Sequence, residues 1–141
     1  MAAEILVDTG AILAILDQTD RWHKPCSATF KKLPLPLLTS EAVLTEIFHL
    51  IKRVRAEVDE VWTQLRLGTI QIATIKNSEL PALEKLMRRY RDLPMDFADA
   101  TLVYLAERES IPVIFTVDQN DFATYRIGGK RRFHILPVER P

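Results

Sequence analysis

The sequence has few of the residues that mark secreted, disulfide-bonded or membrane-spanning proteins. It contains one cysteine, Cys26, in 141 residues, so no internal disulfide can form and a reducing compartment is favoured. No apolar run approaches the roughly 18 residues that a transmembrane helix needs. The first residues also lack the basic and apolar regions of a signal peptide. We therefore expect a cytoplasmic protein that does not contact a membrane.

An excess of positive charge is also missing, as are the common nucleotide and zinc motifs. Lys and Arg together number 19, as do Asp and Glu, which gives no support to tight, sequence-blind binding of long nucleic acid. No P-loop, GxGxxG or zinc-ligand spacing is present. Basic clusters do occur at residues 52–55, 88–91 and 130–132. Each is most simply a solvated helix end or loop, although one or two could contact phosphates.

The remaining composition is that of an ordinary globular protein, with 48% hydrophobic and 27% charged residues. The length suits a single domain covering residues 1–141. Strand-like segments occur at residues 5–7, 37–39, 69–75, 113–117 and 133–136. Helical patterns occur between them at residues 10–16, 22–33, 40–66 with a break near residue 56, 77–91 and 96–108. This alternation predicts an α/β fold, a three-layer α/β/α sandwich with a central parallel sheet.

Four acidic residues, Asp8, Glu46, Asp99 and Asp118, lie where acids are costly. Asp8 and Asp118 each end an apolar strand, and ligand sites of parallel sheets lie beyond the carboxyl ends of the strands, so we expect both in one crevice. Glu46 flanks the apolar stripe of its helix, and Asp99 projects inside the apolar arc of another. Four converging carboxylates are the ligands that a hard divalent metal prefers. The hypothesis is a metal-dependent enzyme that cleaves phosphodiesters, most simply a small ribonuclease.

Each of these acids also has a simpler explanation. Asp8 and Asp118 could each be a turn or cap residue before the helix that follows. Glu46 could be a surface acid in an ion pair. Asp99 could complete a capping box with Asp96, which explains an acid in the first turn but not its direction toward the core.

Four more polar residues could support the acids. Asp96 is expected mainly as a helix cap, whereas Asp121 could reach a metal through a water molecule. Thr9 and Thr116 lie near strand ends and could hold the carboxylates or waters in place.

Two other motifs point to different chemistry. Glu46 and His49 match the Glu-x-x-His of di-iron bundles, but such sites need two copies and this sequence has one. The run from Leu6 to Ala11 also matches the Asp-Thr-Gly signature of aspartic proteases. Those enzymes are all-β, whereas this chain is mostly helical in pattern after residue 40, so we disfavour that class.

Four segments in this order resemble the PIN-domain ribonucleases and, within that family, the VapC-like toxins: residues 6–10, 44–47, 96–100 and 115–122. The family's four acids fall on Asp8, Glu46, Asp99 and Asp118. The resemblance implies a PIN-like fold, Mg²⁺ or Mn²⁺ bound by these acids, an RNA substrate and a homodimer. If the protein is a toxin, the resemblance also implies a small antitoxin protein that blocks the site.

One residue departs from the family pattern. Many relatives have Ser where this chain has Gly10, but all four acids are intact. Gly10 also disfavours the phosphatases with a nucleophilic Asp, which need a second Asp two residues after Asp8. The alternatives that stay open are a non-catalytic PIN-like module that binds RNA or protein, and another metal-dependent phosphoesterase.

Overall fold

Parallel strands form the centre of the protein in this computed structural model, which describes residues 2–141. In chain order the strands are β1 (Ile5–Val7), β2 (Leu37–Ser40), β3 (Ile70–Ala73), β4 (Val113–Phe115), β5 (Arg126–Ile127), β6 (Arg131–Arg132) and β7 (His134–Leu136). Five of them make one parallel sheet in the order β3-β2-β1-β4-β7, while β5 and β6 form a separate antiparallel hairpin. The predicted central parallel sheet is confirmed.

Helices flank this sheet and complete the predicted α/β/α sandwich. They are α1 (Thr9–Leu16), α2 (His23–Phe30), α3 (Glu41–Ile51), α4 (Arg55–Leu67), α5 (Leu80–Arg89), α6 (Phe97–Arg108) and α7 (Gln119–Thr124). Within residues 2–141, none of these helices has the length and apolar character needed to cross a bilayer.

Strands β1 and β4 and helix α6 contribute many of the core residues. All of β1 is buried, and Leu6 and Ile114, which face each other across β1 and β4, are 0% exposed. Helix α6 is buried over most of its length. Strands covered on both faces are apolar at successive positions. An acid that directly follows such a strand therefore lies next to the core.

Polar caps fix where the helices near the strand ends begin. Ser40 caps α3 by accepting a hydrogen bond from Val43 N–H at 3.2 Å, and its hydroxyl also bonds Thr101 of α6 at 2.7 Å. Asp96 caps α6, and Gly68 ends α4 in the left-handed region at φ 76°. The Asp96 cap was predicted, and the other two boundaries have the same kind of cause, because Ser and Asp accept from free helix N–H groups and Gly adopts positive φ without strain.

Several expected boundaries differ from the structure. The break in the predicted helix 40–66 lies at residues 52–54 and not near residue 56. A 3-10 turn at Asn77–Glu79 precedes α5, so that helix begins at Leu80 and not at residue 77. The Glu79 carboxylate accepts from Lys76 N–H at 2.8 Å, so this side chain caps the 3-10 turn and not α5. The single cysteine, Cys26, is fully buried.

Candidate active site

Asp8 is held rigidly at the carboxyl end of β1. Its N–H donates to Phe115 O at 3.0 Å, which continues the ladder between β1 and β4. One carboxyl oxygen accepts from Thr9 N–H at 2.8 Å, and the other accepts from the Thr116 hydroxyl at 2.9 Å. The residue is only 3% exposed. Asp8 is therefore the N-cap of α1, as its simpler explanation held, and also a buried acid fixed between two strands.

Glu46 comes to the same place from the middle of α3. Its Oε1 accepts from the Thr9 hydroxyl at 2.7 Å, and the side chain is half-buried. No ion pair joins it to a basic residue within residues 2–141, so the explanation as a surface acid in an ion pair is wrong. Burial raises the pKa of Glu46, the Thr9 hydrogen bond lowers it, and repulsion from Asp96 and Asp118 raises it again.

Asp99 lies in the first turn of α6 and is 8% exposed. Asp99 N–H donates to Asp96 Oδ1 at 2.8 Å, and Asp96 N–H donates back to Asp99 Oδ2 at 3.4 Å, so the capping box is present. The hydroxyl of Tyr125 also donates to Asp99 Oδ2, at 3.3 Å. Asp96 N–H and the Tyr125 hydroxyl thus donate to the same oxygen, Asp99 Oδ2. Asp99 Oδ1 has no hydrogen-bond partner among the protein groups of residues 2–141.

Asp118 lies just after β4, and we call the space that it borders with Asp8, Glu46 and Asp99 the acidic cleft. It is exposed and occupies the cap position of α7, but its side chain makes no capping hydrogen bond. Its N–H donates to the Thr116 hydroxyl at 3.0 Å, the same hydroxyl that donates to Asp8. Partial burial of the carboxyl raises the pKa of Asp118, and repulsion from Asp121 and Asp96 adds to this rise.

The electrostatics of the cleft are those of acids without a counter-charge. Burial raises the pKa of Asp8 to about 7 and outweighs the lowering by its hydrogen bonds with Thr9 and Thr116, while repulsion from Asp118 and Glu46 adds a smaller rise. Burial also raises the pKa of Asp99 to about 7, with repulsion from Asp8, Asp96 and Asp118 among the causes. The ion pairs formed within residues 2–141 all lie elsewhere.

A hard divalent cation fits this donor set, because the available donors are carboxylate oxygens and each carboxylate charge is destabilised by the next. As the side chains stand, no three Asp, Glu, His or Cys residues in the described part of the chain already form a group tight enough to hold a metal. Hydrogen bonds hold the carboxylates of Asp8 and Asp99 in place, whereas Asp118 is exposed and Glu46 is half-buried.

The sequence analysis missed one member of this cluster, Tyr125. Its ring is fully buried and packs edge-on against Tyr90 and Phe122, with ring centroids 5.1 and 5.2 Å away. Nothing local in the sequence links Tyr125 to Asp99, since their contact is tertiary.

The similarity to known proteins agrees with this architecture. The PIN domain family model matches residues 5–127. Ribonuclease VapC26 of Mycobacterium tuberculosis is 29% identical over 136 residues, which cover 94% of this chain and all of the relative. Among solved structures, the sarcin-ricin loop cleaving toxin VapC20 of M. tuberculosis superposes with a TM-score of 0.71 at 22% identity, covering 83% of this chain and 93% of that one. A toxin–antitoxin complex from Klebsiella pneumoniae gives 0.67 at 20% identity, covering 99% and 100%. The chain belongs to the PIN domain family.

Proposed function

We propose that this protein is a divalent-metal-dependent endoribonuclease and the toxin of a toxin–antitoxin pair. Its catalytic and metal-binding residues would be Asp8, Glu46, Asp99 and Asp118. One observation carries the proposal: four carboxylates from separate elements lie in one cleft, where burial and repulsion from neighbouring acids raise the pKa of each and no basic side chain forms an ion pair with them within residues 2–141. Such an arrangement costs stability and is best explained by the binding of a cation.

The four acids would differ as metal ligands in how firmly the protein holds their side chains. Asp8 and Asp99 are the fixed ligands, since each has at least one oxygen held by protein donors. Glu46 and Asp118 are the adjustable ligands at the edge of the cleft. Thr9 and Thr116 position the carboxylates of Glu46 and Asp8. The proposed ion is Mg²⁺ or Mn²⁺, and when bound it would supply an activated water and stabilise charge on the scissile phosphate.

Two further acids would act indirectly. Asp96 caps α6 and so fixes the direction of Asp99, and its charge acts on Glu46, Asp99 and Asp118. Asp121 lies in the first turn of α7 and acts on Asp118 by charge. We propose that Asp121 contacts a metal-bound water and does not bind the ion directly.

The proposed partners are RNA, a small antitoxin and a second copy of the chain. The 29% identical relative is named as a ribonuclease, and a structure similar over 99% of this chain is a toxin–antitoxin complex, which together support the first two. The homodimer is supported by exposed apolar residues that line a groove between α5 and the start of α6. Leu80 is 42% exposed, Met87 is 36% exposed and Phe97 is 46% exposed. Apolar surface of this kind is typical of protein interfaces. Light scattering on the purified protein measures the oligomeric state.

The test is cleavage of labelled single-stranded and hairpin RNAs with Mg²⁺, with Mn²⁺ and with EDTA. We expect cleavage that needs the metal, is lost in Asp8→Asn and is kept in Asp59→Asn, which removes an equal charge from an exposed site on α4. Expression of the wild-type chain in a bacterium should arrest growth, whereas Asp8→Asn should not. Metal binding without cleavage of any RNA would instead indicate a non-catalytic PIN module. Metal-dependent hydrolysis of small phosphoesters alone would indicate another phosphoesterase.

A further inference from the structure

Two basic clusters that are far apart in the sequence lie against each other in the structure. The first is the end of α5, and the second is the hairpin of β5 and β6. Arg126 N–H in the hairpin donates to the Tyr90 hydroxyl at 2.9 Å. The Arg89 guanidinium lies against the hairpin turn, since its Nη1 would be 3.2 Å from a Cβ placed on Gly129. The basic clusters at residues 88–91 and 130–132 are therefore neighbours in the structure, although they are separate in the sequence.

This surface carries a concentration of free positive charge. We define the basic hairpin surface by four exposed residues: Arg89, Lys130, Arg131 and Arg132. None of the four forms an ion pair with another residue in the 2–141 range, whereas the adjacent Arg88 is paired with Glu84 at 2.9 Å. One acid, Glu107, lies against the hairpin at Gly128. Arg126 is excluded because its guanidinium donates to the carbonyls that end α7.

The hairpin turn holds this charge in a fixed shape. Gly128 and Gly129 both have positive φ, at 59° and 77°, and Lys130 N–H donates to Ile127 O at 3.1 Å. Positive φ at successive turn residues matches the twist of a β-hairpin, and glycine adopts it without strain. Ile127 is buried, and β5 packs along α6. The basic side chains are thus displayed from an anchored element.

Strand β5 connects this surface to the acidic cleft. Strand β5 starts directly after Tyr125, whose hydroxyl bonds Asp99. From there the hairpin follows α6 to Glu107, eight residues beyond Asp99. Eight residues of helix span about 12 Å.

We propose that the basic hairpin surface binds the phosphate backbone of the RNA substrate a few nucleotides from the bond that is cut. This inference rests on the proposed ribonuclease function. The chain has no net charge, so long-range attraction cannot bring RNA to a cleft that is itself acidic. A local cationic surface next to the cleft supplies that attraction. Because it would contact phosphates only, it contributes affinity and leaves the choice of sequence to other residues.

The test measures RNA binding separately from RNA cleavage. All proteins carry Asp8→Asn so that the RNA stays intact, and binding of a fluorescein-labelled, mixed-sequence single-stranded RNA is followed by anisotropy across a salt series. The variant is Arg89→Gln with Lys130→Gln, which takes one charge from each cluster. The matched control is Lys52→Gln with Arg53→Gln, two exposed basic residues on the α3–α4 turn. Thermal melts establish that both variants fold.

We expect the Arg89/Lys130 variant to bind about tenfold more weakly near physiological salt, with a log–log salt slope shallower by about 1.4, since each phosphate contact on a single strand contributes about 0.7. The control should stay within about twofold of its parent. Equal losses in the two variants would overturn the proposal, as would a parent protein that binds no RNA at about 100 µM, the weak end of non-specific affinities. If the Arg89/Lys130 variant binds RNA more weakly but the wild-type protein cuts no RNA, the RNA-binding role of the surface stands and the proposed ribonuclease function is rejected.

Discussion

Gly10 in the first turn of α1 lies so close to Val117 that a Cβ on Gly10 would overlap Val117 Cγ2. Gly10 follows Asp8 by two residues, and Val117 directly precedes Asp118. The close approach of these two residues therefore sets how near the segment after β1 comes to the segment after β4. Any larger residue at position 10 would require Val117 to shift, so the packing of this chain favours glycine there.

Replacing Gly10 with Ser should destabilise the protein by about 1–3 kcal/mol, the usual cost of overpacking, reduced by a gain in helix propensity of roughly 0.5 kcal/mol. Val117→Ala opens the space that the new side chain needs. We expect the double variant to recover part of the loss, giving a favourable coupling energy in a double-mutant cycle measured by urea unfolding. Strictly additive effects would show that the two residues do not clash.

This contact also shows which features the sequence could predict. The acids were predictable because each depends on a local pattern: Asp8 and Asp118 follow apolar strands, and Asp99 points into an apolar arc. The close packing of Gly10 on Val117 and the hydrogen bond from Tyr125 to Asp99 join residues that are distant in the chain. No periodicity contains such information, and a single sequence offers no covarying pairs.

The elements that were not predicted are short and polar. Helix α7 has six residues, beginning Gln-Asn-Asp, and strands β5 and β6 have two residues each, three of those four being arginines. Neither the period of a helix nor the alternation of a strand can be recognised over such lengths. The hairpin forms because Ile127 is buried on α6 and two glycines make the turn, and both are tertiary or turn effects.

Addition of Mn²⁺ should stabilise the protein, because an ion that binds only the folded state adds stability by mass action and removes repulsion among the acids. At a metal concentration about 100 times the Kd, the gain is about 2.7 kcal/mol, or roughly 5–10 °C in Tm for a chain of this size. Differential scanning fluorimetry with and without EDTA measures it.

Asp8→Asn should remove most of that metal response and also raise the Tm in EDTA, since it deletes a buried charge and keeps the shape. The exposed Asp59→Asn should change neither value. A wild-type Tm that does not move at saturating Mn²⁺ would reject the metal site.

Without metal, the protein should lose stability as the pH rises from about 4 to about 7. The pKa of Asp8 and that of Asp99 are raised from 3.8 to about 7 by folding. Between these limits the folded state binds more protons than the unfolded state, so the free energy of unfolding falls with increasing pH and levels off above about pH 8. We expect a loss of at least about 2 kcal/mol between pH 5 and pH 8 in EDTA, measured by urea unfolding.

Two comparisons identify the cause of this pH dependence. Asp8→Asn should flatten the curve, because one of the two titrating groups is gone. Saturating Mn²⁺ should reverse the trend, since the ion binds carboxylates and its affinity rises as they ionise. A stability in EDTA that increases from pH 5 to pH 8 would show that the acids are not held close together in the folded state.

Removal of the Tyr125 hydroxyl should weaken metal binding without loosening the fold. The hydroxyl donates to Asp99 Oδ2, so that Asp99 Oδ1 is the oxygen left for the ion. Tyr125→Phe keeps the ring between Tyr90 and Phe122, where it is fully buried. Loss of a residue that orients a metal ligand typically lowers affinity by about 10–100-fold. At a distance of 3.3 Å the bond is long, and we expect the lower end, about tenfold in the Kd for Mn²⁺ by calorimetry.

Tyr90→Phe is the matched control for this variant. The Tyr90 hydroxyl accepts from Arg126 N–H at 2.9 Å and contacts none of the acids through a hydrogen bond within residues 2–141. Its loss should lower the Tm, because a partly buried N–H is left without a partner, but should leave the Kd for Mn²⁺ unchanged. Equal weakening of metal binding by both variants would mean that the aromatic cluster acts through packing alone. Weakening in Tyr125→Phe only would establish Tyr125 as the residue that positions Asp99, a role that the sequence pattern gave no reason to assign to it.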